Sequence, residues 1–131
     1  MNRVLVIPGR PVPKARPRVV TQDGRSRTYT PEATRAAEEL IRGAWLESHG
    51  RDPLAGPVGV KLTFSYGVKP HTRIQVFPLS DSPYEGVDSI EWEAGWADVE
   101  NLAKLVLDAL EGVAYHNDRQ VAYLEATKER R

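Results

Sequence analysis

Cysteine is absent from the 131 residues, which excludes disulfides and thiolate metal sites and suits a reducing cytosol. No apolar run approaches the roughly 18 residues needed to span a bilayer, so no membrane contact is expected. The opening "MNRVLVIPGRP" is too short and too soon broken by proline for a secretory signal. A cytoplasmic location is therefore the expectation. Internal repeats and low-complexity tracts are missing, and so is any net charge: 18 basic residues face 18 acidic ones. What is present, 40% apolar and 27% charged residues, is the profile of a soluble globular chain of single-domain size.

The zero is a cancellation of two poles. Residues 1–30 carry seven basic groups (Arg3, Arg10, Lys14, Arg16, Arg18, Arg25, Arg27) against Asp23 alone, a net of +6. Residues 79–100 carry seven acids (Asp81, Glu85, Asp88, Glu91, Glu93, Asp98, Glu100) and no Lys or Arg, a net of −7. Such asymmetry is compatible with nucleic acid at one pole and a cation or partner at the other; two solvated surfaces are the plain alternative.

Along the chain, "RVLVI" (3–7) predicts a strand stopped by Pro8-Gly9. The proline-rich "PGRPVPKARPR" forbids helix and favours an extended path. A short strand, an Asp23-Gly24 turn and a returning strand follow. Thr30-Pro31 then opens a first helix as N-cap and N1. Its stripe of Ala33, Ala36, Ala37, Leu40, Ile41, Ala44 and Trp45 extends to about Ser48. Residues 58–68 alternate as a strand, with 73–79 as a candidate antiparallel partner. Residues 80–97 read as an acidic loop or loose hairpin. A second helix runs from about Val99 to Glu111 and stops at Gly112, with Leu102, Leu105, Val106, Ala109 and Leu110 on its buried face. A last strand over 119–130 completes the order β-α-β-β-α-β. That order predicts an α+β fold of two layers, a mixed sheet covered by two helices.

The acids of the second helix are oddly placed. Asp98 and Glu100 flank its entrance, and Asp118 follows in an Asn-Asp pair just past its end. Carboxylates are the oxygen ligands that Mg²⁺ requires, and they can converge if the 112–117 turn folds back. Lys104, one turn beyond Glu100, can stabilise charge on a phosphoryl group. The plain alternative is that acids near a helix N-terminus favour the macrodipole, and that Glu100 and Lys104 form an ordinary i,i+4 pair. Asp108, on the Lys104 face, fits a salt bridge to that lysine as well as a direct role. His49 and His71 read as exposed loop residues and His116 as a surface turn residue. Trp45 reads as core.

The segment "DVENLAKLVLDALEGVAYHNDRQV" resembles the signature of the RusA family of Holliday junction resolvases: Asp-x-Asp-Asn-Leu-x-Lys, Asp-x-Leu, then a turn to Asp-Asp-x-Gln. Asp98, Asn101, Leu102, Lys104, Asp108, Leu110, Asp118 and Gln120 fall into register. The arm, with Lys14, Arg16, Pro17 and Arg18, is similar to the family's Pro-x-x-Lys-x-Arg-Pro-Arg opening, and Tyr29-Thr30-Pro31 also matches. The resemblance covers about residues 7–128 except 69–96. It implies one endonuclease domain over 1–131, with a basic arm (8–28) and an acidic insert (80–97) that is not a recognised family feature. It further implies a homodimeric, Mg²⁺-dependent endodeoxyribonuclease, bacterial or phage-encoded, with Mn²⁺ as a substitute metal. Such an enzyme resolves four-way junctions by paired symmetric nicks. The metal-holding acids correspond to Asp98, Glu100 and Asp118 and the essential lysine to Lys104. Arg10, Lys14, Arg16, Arg18, Arg25 and Arg27 form the expected phosphate grip. Two positions depart from the pattern: Glu100 and Asn117 stand where the family has Asp. The first leaves open a dimeric junction-binding protein with weakened catalysis.

Overall fold

The computed structural model describes residues 2–15, 18–22, 24–29, 32–79 and 98–130. Six strands and two long helices occur among them: β1 (Arg3–Pro8), β2 (Arg18–Gln22), β3 (Arg25–Tyr29), α1 (Glu32–His49), β4 (Val58–Ser65), β5 (His71–Pro78), α2 (Val99–Leu110) and β6 (Val121–Glu129). Strands β1, β5, β4 and β6 form one sheet in that order, while β2 and β3 form a separate hairpin. Three of the sheet's neighbours tell its character: β5 is antiparallel to both β1 and β4, and β6 is parallel to β4. The sheet is mixed and the fold is α+β, as the sequence order predicts. The Asp23-Gly24 turn also holds, with Gly24 at φ +73, although Asp23 itself lies outside the described residues. So do Thr30, Pro31 and the whole of 80–97.

One sheet face carries the core. Leu5 and Ile7 of β1, Val60, Leu62 and Phe64 of β4, and Ile74 and Val76 of β5 alternate inward beneath both helices. From α1, Ile41 and Trp45 are buried, with Ala37 and Ala44 packed beside them. The expected stripe is partly corrected here. Ala33, Ala36 and Leu40 are exposed, and Thr34 is buried in their place. The helix is rotated because α1 packs on both α2 and β1, and the face satisfying both contacts runs through 34, 37, 41 and 45. From α2 come all five expected core residues and Ala103.

Two contacts fix how the chain enters and leaves α2. Gly112 takes φ +87 after the helix, and the chain turns so that Tyr115 is buried. The Tyr115 hydroxyl donates to the Leu107 carbonyl at 2.7 Å, so the turn is anchored on the helix it leaves. On the entry side, the Lys14 N–H donates to the Asn101 carbonyl at 2.9 Å and the Ala15 N–H to Thr34 Oγ1 at 3.1 Å. The Lys14 ammonium lies 2.5 Å from Glu38 Oε1 on α1 and 3.1 Å from Asp108 Oδ2 on α2. Arg42 adds a second tie between the helices, donating to the Asp108 and Ala109 carbonyls at 3.3 and 3.2 Å. The arm is stitched to both helices.

These contacts set the alkaline limit of stability. Burial lowers the pKa of Lys14, but Glu38 and Asp108 more than offset it, and the net shift is upward. Burial, aided by Glu111, Asp118 and Asp108, pushes the Tyr115 phenol up as well. In both cases the folded state holds a proton that the unfolded chain releases from about pH 10, the ordinary range of these groups. The stabilisation is complete below that range and is lost as pH rises through the folded values. Chemical denaturation should therefore show stability falling steadily above about pH 10. Tyr115→Phe should be less stable at pH 7 by about 1 kcal/mol, for the lost hydrogen bond. It should also show a shallower alkaline fall, and an identical pH slope would refute the assignment to Tyr115.

Candidate active site

Three charged residues of α2 share one side of the helix by spacing. Glu100, Lys104 and Asp108 recur every four residues and so form a stripe, and Asp98 precedes the first turn. Asp98 is the N-cap by position, with extended backbone, but its side chain makes no capping bond and is exposed. The macrodipole reading of this acid therefore has no capping hydrogen bond behind it.

Between the stripe and β6 runs an open groove of about 550 Å³. Val99, Glu100, Ala103, Lys104, Leu107 and Asp108 form the helix wall; Val121, Leu124 and Ala126 of β6 form the other, and Asp118 joins them. The groove exists because β6 is an edge strand. Among the described residues it pairs only with β4, and Leu124, on the face that α2 overlies, remains 46% exposed. The result is an apolar floor with a charged rim of three acids and one lysine.

Asp118 owes its place to a residue whose role the sequence reading passed over. Gln120 spends its whole amide on the turn before β6. Its Oε1 accepts from the N–H groups of His116 and Asn117 at 2.8 and 3.0 Å. Its Nε2 donates to the Leu54 and Gly56 carbonyls, both at 2.8 Å. Asn117 Oδ1 accepts from the Arg119 N–H at 2.9 Å, and Glu111 Oε2 accepts from the Asp118 N–H at 3.2 Å. A single 3-10 turn over Asp118–Gln120 results, its backbone held from three sides with the Asp118 carboxylate exposed. The signal was in the sequence, since Gln120 closes the signature; its mechanism was not. Asn117, one of the two departures, serves as a turn cap, which an amide oxygen does as well as a carboxylate.

The structure thus brings Glu100, Lys104 and Asp118 to one groove and leaves Asp98 at its lip, outside the lining. Carboxylate oxygens suit a hard cation such as Mg²⁺ in kind. In placement the fit is partial: among the described residues, no three of His, Cys, Asp or Glu are grouped to hold a metal ion together. His116 is exposed and does not line the groove.

Other expectations change. Asp108 pairs with Lys14, not with Lys104, and Lys104 has no ion pair among the described residues. The arm brings Lys14 to α2, where its backbone N–H is bonded to the Asn101 carbonyl. Lys14 itself, placed by sequence in the phosphate grip, has its ammonium between two carboxylates. Arg10 lies with Cζ 6.0 Å from the Tyr66 ring centroid, beside Pro70 and Arg130. Arg18 stands opposite Tyr29, Arg27 opposite Val20 and Arg25 opposite Gln22 in the β2–β3 backbone register, and Arg16 lies outside the described residues. The loop reading of two histidines is corrected. His49 ends α1, packs 4.5 Å from the Trp45 ring and bonds the Val4 carbonyl; His71 begins β5, half-buried.

The signature residues thus form one object: a helix and a turn beside one groove, with the arm stitched to the helix. A family model described as Endodeoxyribonuclease RusA matches residues 8–131, essentially the whole length. Searches of curated proteins and of solved structures give no match. The groove, the signature and the family match coincide on the same residues, and the chain belongs to the RusA endodeoxyribonuclease family.

Proposed function

We propose that this protein is a Mg²⁺-dependent endonuclease, with Mn²⁺ as a substitute, that resolves four-way DNA junctions by paired symmetric nicks. Family membership implies the coarser part, Holliday junction resolvase activity on branched DNA. Among the described residues no helix is long and apolar enough to cross a membrane. The finer part rests on one observation: Glu100, Lys104 and Asp118 line the same groove. We read the chain as one endonuclease domain acting as a cytoplasmic homodimer, because two-fold junctions need two coordinated nicks and this groove supplies one.

Glu100 and Asp118 would hold the ion, with Asp98 at the lip as the third carboxylate. A divalent ion, when bound, polarises a phosphoryl oxygen and lowers the pKa of a water. Lys104 presents its ammonium to the scissile phosphate and stabilises charge as the water oxygen bonds to phosphorus and the sugar oxygen departs. The arm's arginines hold flanking phosphates without reading sequence. One observation favours the alternative of a junction-binding protein with weakened catalysis: the three acids are not grouped as a ligand set.

Incubation with a synthetic four-way junction and Mg²⁺ or Mn²⁺, read on a denaturing gel, separates the two readings. Symmetric nicks are expected. Asp98→Asn, Asp118→Asn and Glu100→Gln should each abolish them while junction binding stays intact or tightens, because carboxylates repel phosphates. Lys104→Ala should cost about 100-fold or more in rate. Glu100→Asp distinguishes an adapted site, in which the rate falls, from a handicapped one, in which it rises. A wild-type protein that binds junctions but never nicks, and gains nothing from Glu100→Asp, is the binding module. Separately, Arg16→Ala with Arg18→Ala should weaken binding and flatten the logarithmic salt dependence by about 1.8, the release expected for two phosphate contacts. An unchanged slope would remove these two residues from the grip.

A further inference from the structure

We propose that Lys14 is a positioning residue of the groove rather than a phosphate contact: by holding the Asp108 carboxylate, it keeps the groove's lysine, Lys104, available for the scissile phosphate. The inference rests on the nuclease reading of the groove and deepens it.

Lys104 has two acidic neighbours at helical spacing, Glu100 one turn before and Asp108 one turn after. In the proposed site the Glu100 carboxylate is committed to the cation. Asp108 is then the competitor that can draw the Lys104 ammonium away from the substrate. It does not do so, because its Oδ2 lies 3.1 Å from Lys14 Nζ. Lys14 is not free to move to a phosphate: the same ammonium sits 2.5 Å from Glu38 Oε1, its side chain is 19% exposed, and its backbone N–H is bonded to Asn101. With Arg42 holding the Asp108 carbonyl, residue 108 is fixed at both ends. Glu38 and Asp108 share the one Lys14 ammonium, so removing Lys14 leaves two carboxylates unmatched, and one of them, Asp108, lies in the groove wall.

Kinetics on a four-way junction test this by epistasis. Lys14→Ala should lower kcat about tenfold, the size of one uncompensated charge roughly 10 Å from the phosphate at an effective dielectric near 20. It should leave the salt dependence of binding unchanged. Adding Asp108→Asn to Lys14→Ala should restore most of the lost rate, and Lys14→Arg should keep it. A double variant as slow as Lys14→Ala, or a salt slope lowered by about one in Lys14→Ala as for a lost phosphate contact, overturns the proposal.

A second readout needs no nuclease activity and separates failure of this inference from failure of the nuclease reading. On protein free of DNA and metal, acetylation of Lys104 by an N-hydroxysuccinimide ester is followed by mass spectrometry. Labelling of Lys104 should fall about twofold in Lys14→Ala, the strength an i,i+4 pair supports, and recover in the double variant. Equal labelling in all three folded proteins overturns the proposal whether or not junctions are nicked. Should Lys14→Ala melt below the assay temperature, Lys14→Met, which keeps the aliphatic stem, takes its place in both measurements.

Discussion

The buried phenol of Tyr115 governs the rest of the site. Its hydrogen bond to the Leu107 carbonyl fixes the angle at which the chain departs from α2. That angle lets residue 115 bridge to Leu54 and sends β6 back along β4 in parallel register. A parallel neighbour cannot be reached by a tight hairpin, and between β4 and β6 the chain first makes β5 and then α2. The helix packs against the strand that follows it. Because β6 is the sheet edge, the two part into a groove rather than a closed core. Asp118 then lines the same groove as Glu100 and Lys104, its turn held by the bonds of Gln120 to Leu54 and Gly56.

Neutrality of the whole chain concealed an internal arrangement. The basic arm and the acidic helix face are joined at Lys14, whose partners come from α1 and α2. With flanking side chains mostly covered, this is not the exposed sort of ion pair that adds little. Removing one partner from such a cluster leaves the others desolvated and unmatched, which costs more than the pair was worth. Backbone bonds at Lys14 and Ala15 hold the same segment independently of charge. The arm therefore has two anchors of different kinds, one that salt can loosen and one that it cannot.

The helix-side geometry was legible in the sequence because periodicity reports which residues share a face. Leu102, Leu105, Val106, Ala109 and Leu110 were placed inward by spacing and are inward. The strand order and the stop at Gly112 followed from local chemistry in the same way. Partners across the fold were not legible. Nothing in the spacing links Lys14 to Glu38, 24 residues away, or Gln120 to Leu54, 66 away, since such contacts depend on how elements dock. Leu40 shows the same limit on a smaller scale. It belongs to the apolar stripe by sequence, yet the contact of α1 with two neighbours rotates it to 60% exposure. Asp98 and Glu100, two residues apart, leave the helix start on different sides, and Glu100 is the one that lines the groove.

The groove's few charges act over an apolar floor, and that floor changes what each is worth. Val99, Ala103, Leu107, Val121, Leu124 and Ala126 present hydrocarbon where a surface site would present water. A phosphate lying across them displaces solvent, and the effective dielectric between its oxygens and the rim falls below that of bulk water. Coulomb energies scale inversely with that dielectric, so one lysine over hydrocarbon counts for more than one surrounded by water. The same scaling penalises misplaced negative charge. An unmatched Asp108 would cost more here than on a solvated helix, whereas acids bound to a cation are compensated in place. A site with so few charges can act on a polyanion only if every acid is either matched by a protein cation or held on a metal. In this chain Lys14 of the arm meets Asp108, and under the proposed function Glu100 and Asp118 are the acids left for a metal.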